Sequence, residues 1–269
     1  VKQANKEQGI VEGWFGMLGY RLFRHAVLML IDNISHALKI SLLPFVSLVV
    51  LTYVLLLVLA ELAIETNGLE QSPMAWVGII ALLSSYLIVL VWVAVGWHRY
   101  ILEGVEPSLA WPDWKSDRMW AYSGAFLRII PLSLLLCFAA LLVFLIPAAV
   151  FNGGDVSTND GSFLGFLLGV VVSYIWMRLS LVLPAAALGL YMRVPDSWSA
   201  TKEYSKPIFA AALCVGILAA IPNLLLLTPL GPIIDGLVYF LVAQWFLLML
   251  GITMMTALYG HIIENRALR

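Results

Sequence analysis

Charge is what this sequence has least of: Asp, Glu, Lys and Arg make up 12% of its 269 residues, against 62% hydrophobic, and the mean hydropathy is +0.96. A soluble domain carries about 25% charged residues. A soluble fold of this length could not hide so much apolar surface, and that class is excluded. Cysteine is nearly absent as well. Cys137 and Cys214 lie in apolar runs without a metal-type or redox-type partner spacing, and both read as buried apolar fillers. The segment from Val1 to Gln8 is polar and lacks the apolar core and cleavage site of a signal peptide, so the first span is expected to act as its own insertion signal. No carboxylate pair falls at membrane depth, as a proton relay or cation pathway needs, since Glu61 and Asp235 sit at outer ends. Ser and Thr are scattered without a nucleophile elbow. No catalytic residue, cofactor, metal site or nucleic-acid partner is expected.

What is present is a set of long apolar runs: 40–63, 76–97, 129–151, 163–188, 207–227 and 237–263. Each approaches or exceeds the roughly 20 residues that cross a bilayer as a helix. The expected fold is all-α: a polytopic membrane helix bundle of six transmembrane helices, forming one integral membrane domain over 1–269. Pro222-Asn223 and Thr228-Pro229-Leu230-Gly231-Pro232 interrupt the outer end of the fifth run, predicting a kinked helix and a tight turn.

The charges are sorted along this frame. Lys2, Lys6, Arg21, Arg24 and Lys39 precede the first run, and Arg99, Lys115, Arg118 and Arg128 separate the second from the third. Arg193, Lys202 and Lys206 separate the fourth from the fifth; Arg266 and Arg269 follow the sixth. The other connections hold Glu65, Glu70, Asp155, Asp160 and Asp235. The positive-inside rule therefore predicts both ends on the cytoplasmic side. Between 13 and 39, Phe15, Leu18, Leu22, Leu30, Ile34 and Leu38 recur at roughly helical spacing among charged residues, which predicts an interfacial amphipathic helix. A seventh, poorly hydrophobic span there would put charges at membrane depth. Trp111, Trp114, Trp120 and Trp198 read as headgroup-level anchors, with partner binding as the alternative.

The six runs group into three hairpins. Their entries, His36 to Pro44, Ala125 to Pro131 and Tyr204 to Pro207, each place a base and then a proline within a few residues. The exits of the first and third hairpins also align: His98-Arg-Tyr-Ile101-Leu-Glu103-Gly104 lies on Tyr259-Gly-His-Ile262-Ile-Glu264-Asn265. Three hairpins of parallel topology about an axis near the membrane normal follow from this repeat. The run from Arg178 to Pro184, followed by Asp196-Ser197-Trp198 and Thr201-Lys202, resembles bacterial six-span inner-membrane proteins of the YciC-like type and the membrane domain of some glycerophosphodiester phosphodiesterases. The similarity is concentrated in residues 170–225. It implies a six-span fold in a bacterial inner membrane and no activity, because the soluble phosphodiesterase domain is not in this chain.

Arg178 is the one base well inside a run, roughly 22 Å from the outer face at about 1.5 Å per residue from Phe163. It is read either as a substrate or partner contact, or as a side chain that snorkels or pairs with Glu103 or Glu264. Pro184 is expected to free a carbonyl for its guanidinium. His98 and His261 close two spans at similar depth, a geometry that haem ligation would need, although interfacial hydrogen bonding is the plainer reading. Asn223 and Gln244 are expected to bond between helices. The expected role is a non-enzymatic accessory, assembly or scaffold protein, with membrane lipids and other integral membrane subunits as partners. The alternatives are a transporter or channel for a small or amphipathic molecule, and a lipid-related membrane enzyme.

Overall fold

The computed structural model describes the backbone of residues 2–65, 73–107, 114–151, 158–226 and 237–269, and side chains for 17–61, 73–107, 114–142, 165–221 and 241–269. Within them every regular element is an α-helix: α1 (Lys2–Asp32), α2 (Ile34–Glu65), α3 (Pro73–Glu103), α4 (Ser116–Phe151), α5 (Thr158–Leu179), α6 (Val182–Ala187), α7 (Val194–Ala200), α8 (Ser205–Leu226) and α9 (Leu237–Ile262). Four stretches are long and apolar enough to cross a membrane, namely Ile34–Glu61, Pro73–Glu103, Ser116–Leu142 and Leu241–Ile262. A fifth arises if α7 and α8, bent by 98° against each other, count as one span. Glu70, Trp111, Asp155, Asp235 and Thr228 to Pro232, and the side chains of Phe15, Asp160, Pro222 and Asn223, lie outside the described residues.

The expected helix over 13–39 is broken at Asn33. Its amide donates to the Met29 carbonyl at 2.8 Å and its oxygen accepts from the Tyr100 hydroxyl at 2.8 Å, so the side chain ends α1 and ties that end to α3. The buried stripe of α1 is Gly19, Leu22, Ala26 and Leu30, at helical spacing. Beyond the break the register changes, and Ile34 and Leu38 are exposed. Far from lying loose at the interface, α1 packs along α8 and α9, which touch each other little. Gly19 makes this possible, since a Cβ there would meet the Pro207 carbonyl and come within 2.6 Å of Ala210 Cβ.

The fourth run, expected to be one helix over 163–188, is also broken. Pro184 has no N–H to give the Ser180 carbonyl, and Leu183 N–H takes that carbonyl at 2.9 Å in a tighter turn. α5 therefore stops at Leu179, and α6 begins a separate, wholly buried helix against α3, α4 and α9. The third run starts earlier than expected: α4 is 36 residues long, about 54 Å, so its first turns extend past a hydrocarbon core of about 30 Å.

The entry motif does not recur in three dimensions. Pro44 and Pro131 lie well inside α2 and α4, whereas Pro207 is in the first turn of α8. The exits do recur. Gly104 (φ 70°), Gly189 (φ 75°) and Asn265 (φ 56°) are the positive-φ residues among those described, and each ends one hairpin. After each, an N–H bonds back across the helix end: Val105 to Arg99 and Arg266 to Gly260, six residues back at positions matched in the sequence alignment, and Leu190 to Ala185, five residues back. The core lies at this exit end: the described outer portions of α2, α3, α4, α8 and α9 contribute only Leu59 and Ala75 to it.

Candidate functional site

Arg178 lies in the last turn of α5, and its surroundings are built by the segment that follows α6. Arg193 opens α7 in extended conformation, and Asp196 reaches back to accept from its backbone N–H at 3.2 Å and its guanidinium at 2.9 and 3.0 Å. That start aims α7 across the end of α5. The Ser197 hydroxyl donates to the Arg178 carbonyl at 2.8 Å, satisfying an acceptor left open by the helix end. The side chain of Arg178 is then enclosed. Nε donates to Thr201 Oγ1 at 3.2 Å, Nη1 to the Tyr174 hydroxyl oxygen at 3.2 Å and Nη2 to the Trp198 carbonyl at 2.9 Å. The guanidinium lies over the Trp198 ring, 3.8 Å from its centroid, with Tyr174 at 5.8 Å. Tyr174 continues the chain to Ser205, in the first turn of α8, at 2.6 Å.

Arg178 is 6% exposed, its guanidinium held within the protein by these bonds. It pairs with neither expected carboxylate. Glu103 bonds Arg99 one turn earlier at 3.0 Å, and Glu264 bonds Arg266 at 2.6 Å, because both close their helices beside a base of their own strand of chain. Among the described residues no carboxylate lies within 4.0 Å of Arg178. The carbonyl it uses is that of Trp198 rather than one freed by Pro184.

A second polar cluster sits in the core. His98 is fully buried, with Nδ1 2.8 Å from Thr256 Oγ1 and Nε2 3.5 Å from the Tyr122 hydroxyl, and its ring stacks on Tyr122. Both ring nitrogens are thus taken, leaving none for a metal. His261 bonds the Arg266 carbonyl at 3.0 Å and packs edge-on to Tyr204. Groups of three or more metal-ligating side chains are absent among the described residues. His98, Tyr122 and Thr256 come from α3, α4 and α9, one from each hairpin, a junction that sequence reasoning missed because no spacing along the chain signals it. Gln244 is exposed and bonds no other helix among the described residues. Its neighbour Trp245 does so instead, donating to Ser41 at 2.7 Å.

A third cluster links the chain after α9 to α1 and α3. Arg266 donates to the Ile101 and Leu102 carbonyls at 3.0 and 2.8 Å, capping the C-terminal end of α3. Arg269 bonds Asp32 at 2.8 Å, and its N–H donates to His25 Nδ1 at 3.2 Å. Burial, then Arg269 and His261, hold the His25 imidazole below its ordinary pKa. A pocket of about 20 Å³ lies beneath, between His25, Thr256, His261 and Arg266, and one of about 10 Å³ lies between α2 and α3. Neither reaches Arg178.

With this geometry in hand, comparison with known protein families, curated proteins and solved structures finds no match to the chain.

Proposed function

We propose that this protein is a non-enzymatic accessory or scaffold subunit of a larger membrane complex, crossing a bacterial inner membrane six times with both ends cytoplasmic. The six-span reading draws support from which ends touch. The Asn33–Tyr100 bond joins the start of α2 to the end of α3. The Arg118 guanidinium occupies the space beside Gly189, joining the start of α4 to the chain that follows α6. Tyr204 packs on His261, joining the start of α8 to the end of α9. If α2, α4 and α8 each leave this side, then α3, α5 and α9 each return to it. Contact between Arg269 and α1 likewise favours an even number of crossings. The end that carries Arg21, Arg99, Arg118, Arg193 and Arg266 is the cytoplasmic one under the positive-inside rule. The resemblance of residues 170–225 to YciC-like proteins points to the same membrane.

The observation that carries the accessory role is the filled core. Among the described residues its buried polar side chains, the Trp97 indole N–H excepted, bond to one another or to backbone carbonyls, the two cavities described above hold about one water each, and α2 presents a broad apolar flank of Val46, Val50, Tyr53, Leu57 and neighbours. A solute path would need an open polar channel. Mild solubilisation of native membranes after crosslinking tests the role: the same integral membrane chains should co-purify each time. A protein that always runs alone and binds a defined solute overturns the proposal in favour of transport. Topology is read separately, from cysteines replacing Arg24, Lys202 and Glu70. The first two should label from the cytoplasmic side and the third from the opposite side.

A further inference from the structure

We infer that the elbow between α5, α7 and α8 binds the phosphate of an anionic phospholipid, with Arg178 as its principal contact. A guanidinium 6% exposed and without a carboxylate within 4.0 Å among the described residues is a buried charge held by neutral groups alone, and an anion that pairs with it stabilises it further. Its three protein bonds go to neutral oxygens and use one N–H on each nitrogen. Two of the five guanidinium hydrogens remain, one on each Nη. That fork matches two phosphate oxygens.

The surroundings fit the same ligand. Ser205 places a hydroxyl at the first turn of α8, a 22-residue helix whose N-terminal amides favour an anion, and Lys202 is exposed beside it. Below the elbow, Phe209, Leu213, Ile217 and Ile221 form an exposed stripe at four-residue spacing down α8. Twelve residues of helix span about 18 Å, close to the half-thickness of a hydrocarbon core, about 15 Å. A headgroup at Arg178 therefore sets an acyl chain against that stripe, which inorganic phosphate would leave uncovered.

The inference rests on the reading that this end of the bundle lies among the headgroups. The full chain is placed in nanodiscs of phosphatidylcholine alone, or of equal parts phosphatidylcholine and phosphatidylglycerol, which present both leaflets and need no protein partner. Unfolding temperature and lipid retained in native mass spectrometry are recorded. Phosphatidylglycerol should raise the first and be retained in preference. Arg178→Gln should weaken that retention about tenfold, the size of a lost charge-assisted hydrogen bond, while Arg24→Gln, elsewhere on the basic face, should leave it unchanged. Should Arg178→Gln not fold, Ser205→Glu serves instead: an acid suits the first turn of a helix but repels a phosphate. Equal preference in wild type, Arg178→Gln and Ser205→Glu overturns the inference. So does an equal stabilisation by inorganic phosphate in phosphatidylcholine nanodiscs, which would make the ligand a free anion.

Discussion

Two residues show how single contacts govern this molecule. The His98 ring is buried completely, and Thr256 supplies its closer hydrogen bond. Thr256→Val keeps the shape and removes that partner, so one imidazole nitrogen is left unsatisfied; a loss of about 1–3 kcal/mol is expected. Denaturant unfolding in micelles measures it, and unchanged stability would mean that Tyr122 alone suffices. His25 acts through its protonation state. Its Nδ1 must be unprotonated to accept the Arg269 N–H, and Arg269 and His261 both disfavour a further charge, while Asp32 is engaged by Arg269 and Arg21 donates to the Leu268 carbonyl. The unfolded chain takes up this proton first as pH falls through about 6.5. The His25 contribution is therefore full above that value and declines below it. Wild type should lose more unfolding temperature than His25→Gln between neutral and mildly acid pH; parallel losses would count against the contact.

At the scale of elements, helix ends and helix contacts are set by glycines with opposite uses. Gly104 and Gly189 hold left-handed conformations, and only the second is crowded, by Arg118. Gly104→Ala should cost about 1 kcal/mol, from backbone strain alone. Gly189→Ala should cost more, because Arg118 must also move, and a reversed order in thermal unfolding would refute this account. Gly19 lies within α1 and is there for closeness rather than conformation. Gly19→Ala forces α1 away from Pro207 and Ala210, with an expected loss of about 1–3 kcal/mol. Crosslinking between α1 and α8 should fall in parallel. The repeat belongs to this scale too. The exits aligned in sequence share one cap, and the second hairpin adds a third that no residue identity revealed, since Gly189 follows Leu188 rather than a glutamate.

Across the whole molecule, burial is concentrated at the charged end, and the apolar outward faces of α2, α3 and α4 remain uncovered. Val50, near the middle of α2 and exposed, tests what covers them. Val50→Asp should oppose insertion by about 2.5–3.5 kcal/mol, the cost of Asp at the centre of a span, and reduce the membrane-integrated fraction. Full integration would mean that this face meets water.

The all-α character and the long apolar helices were legible from composition and run length alone, because burial in lipid demands continuous apolar helix and little else. Sorting of bases was legible for the same reason, since it is a property of order along the chain. The helix breaks were only partly so: Pro184 foretold an opening, yet the freed Ser180 carbonyl is taken by the Leu183 N–H rather than by the Arg178 guanidinium. Tertiary structure alone decided the partners. Arg178 stood out in sequence as a base within an apolar run, but its neighbours Thr201, Trp198 and Tyr174 come from a helix bent through 98° and from one turn earlier on α5. The meeting of His98, Tyr122 and Thr256 was beyond the sequence entirely, because contacts between helices depend on rotation about their axes, and an apolar helix with few charges carries little periodicity to specify it.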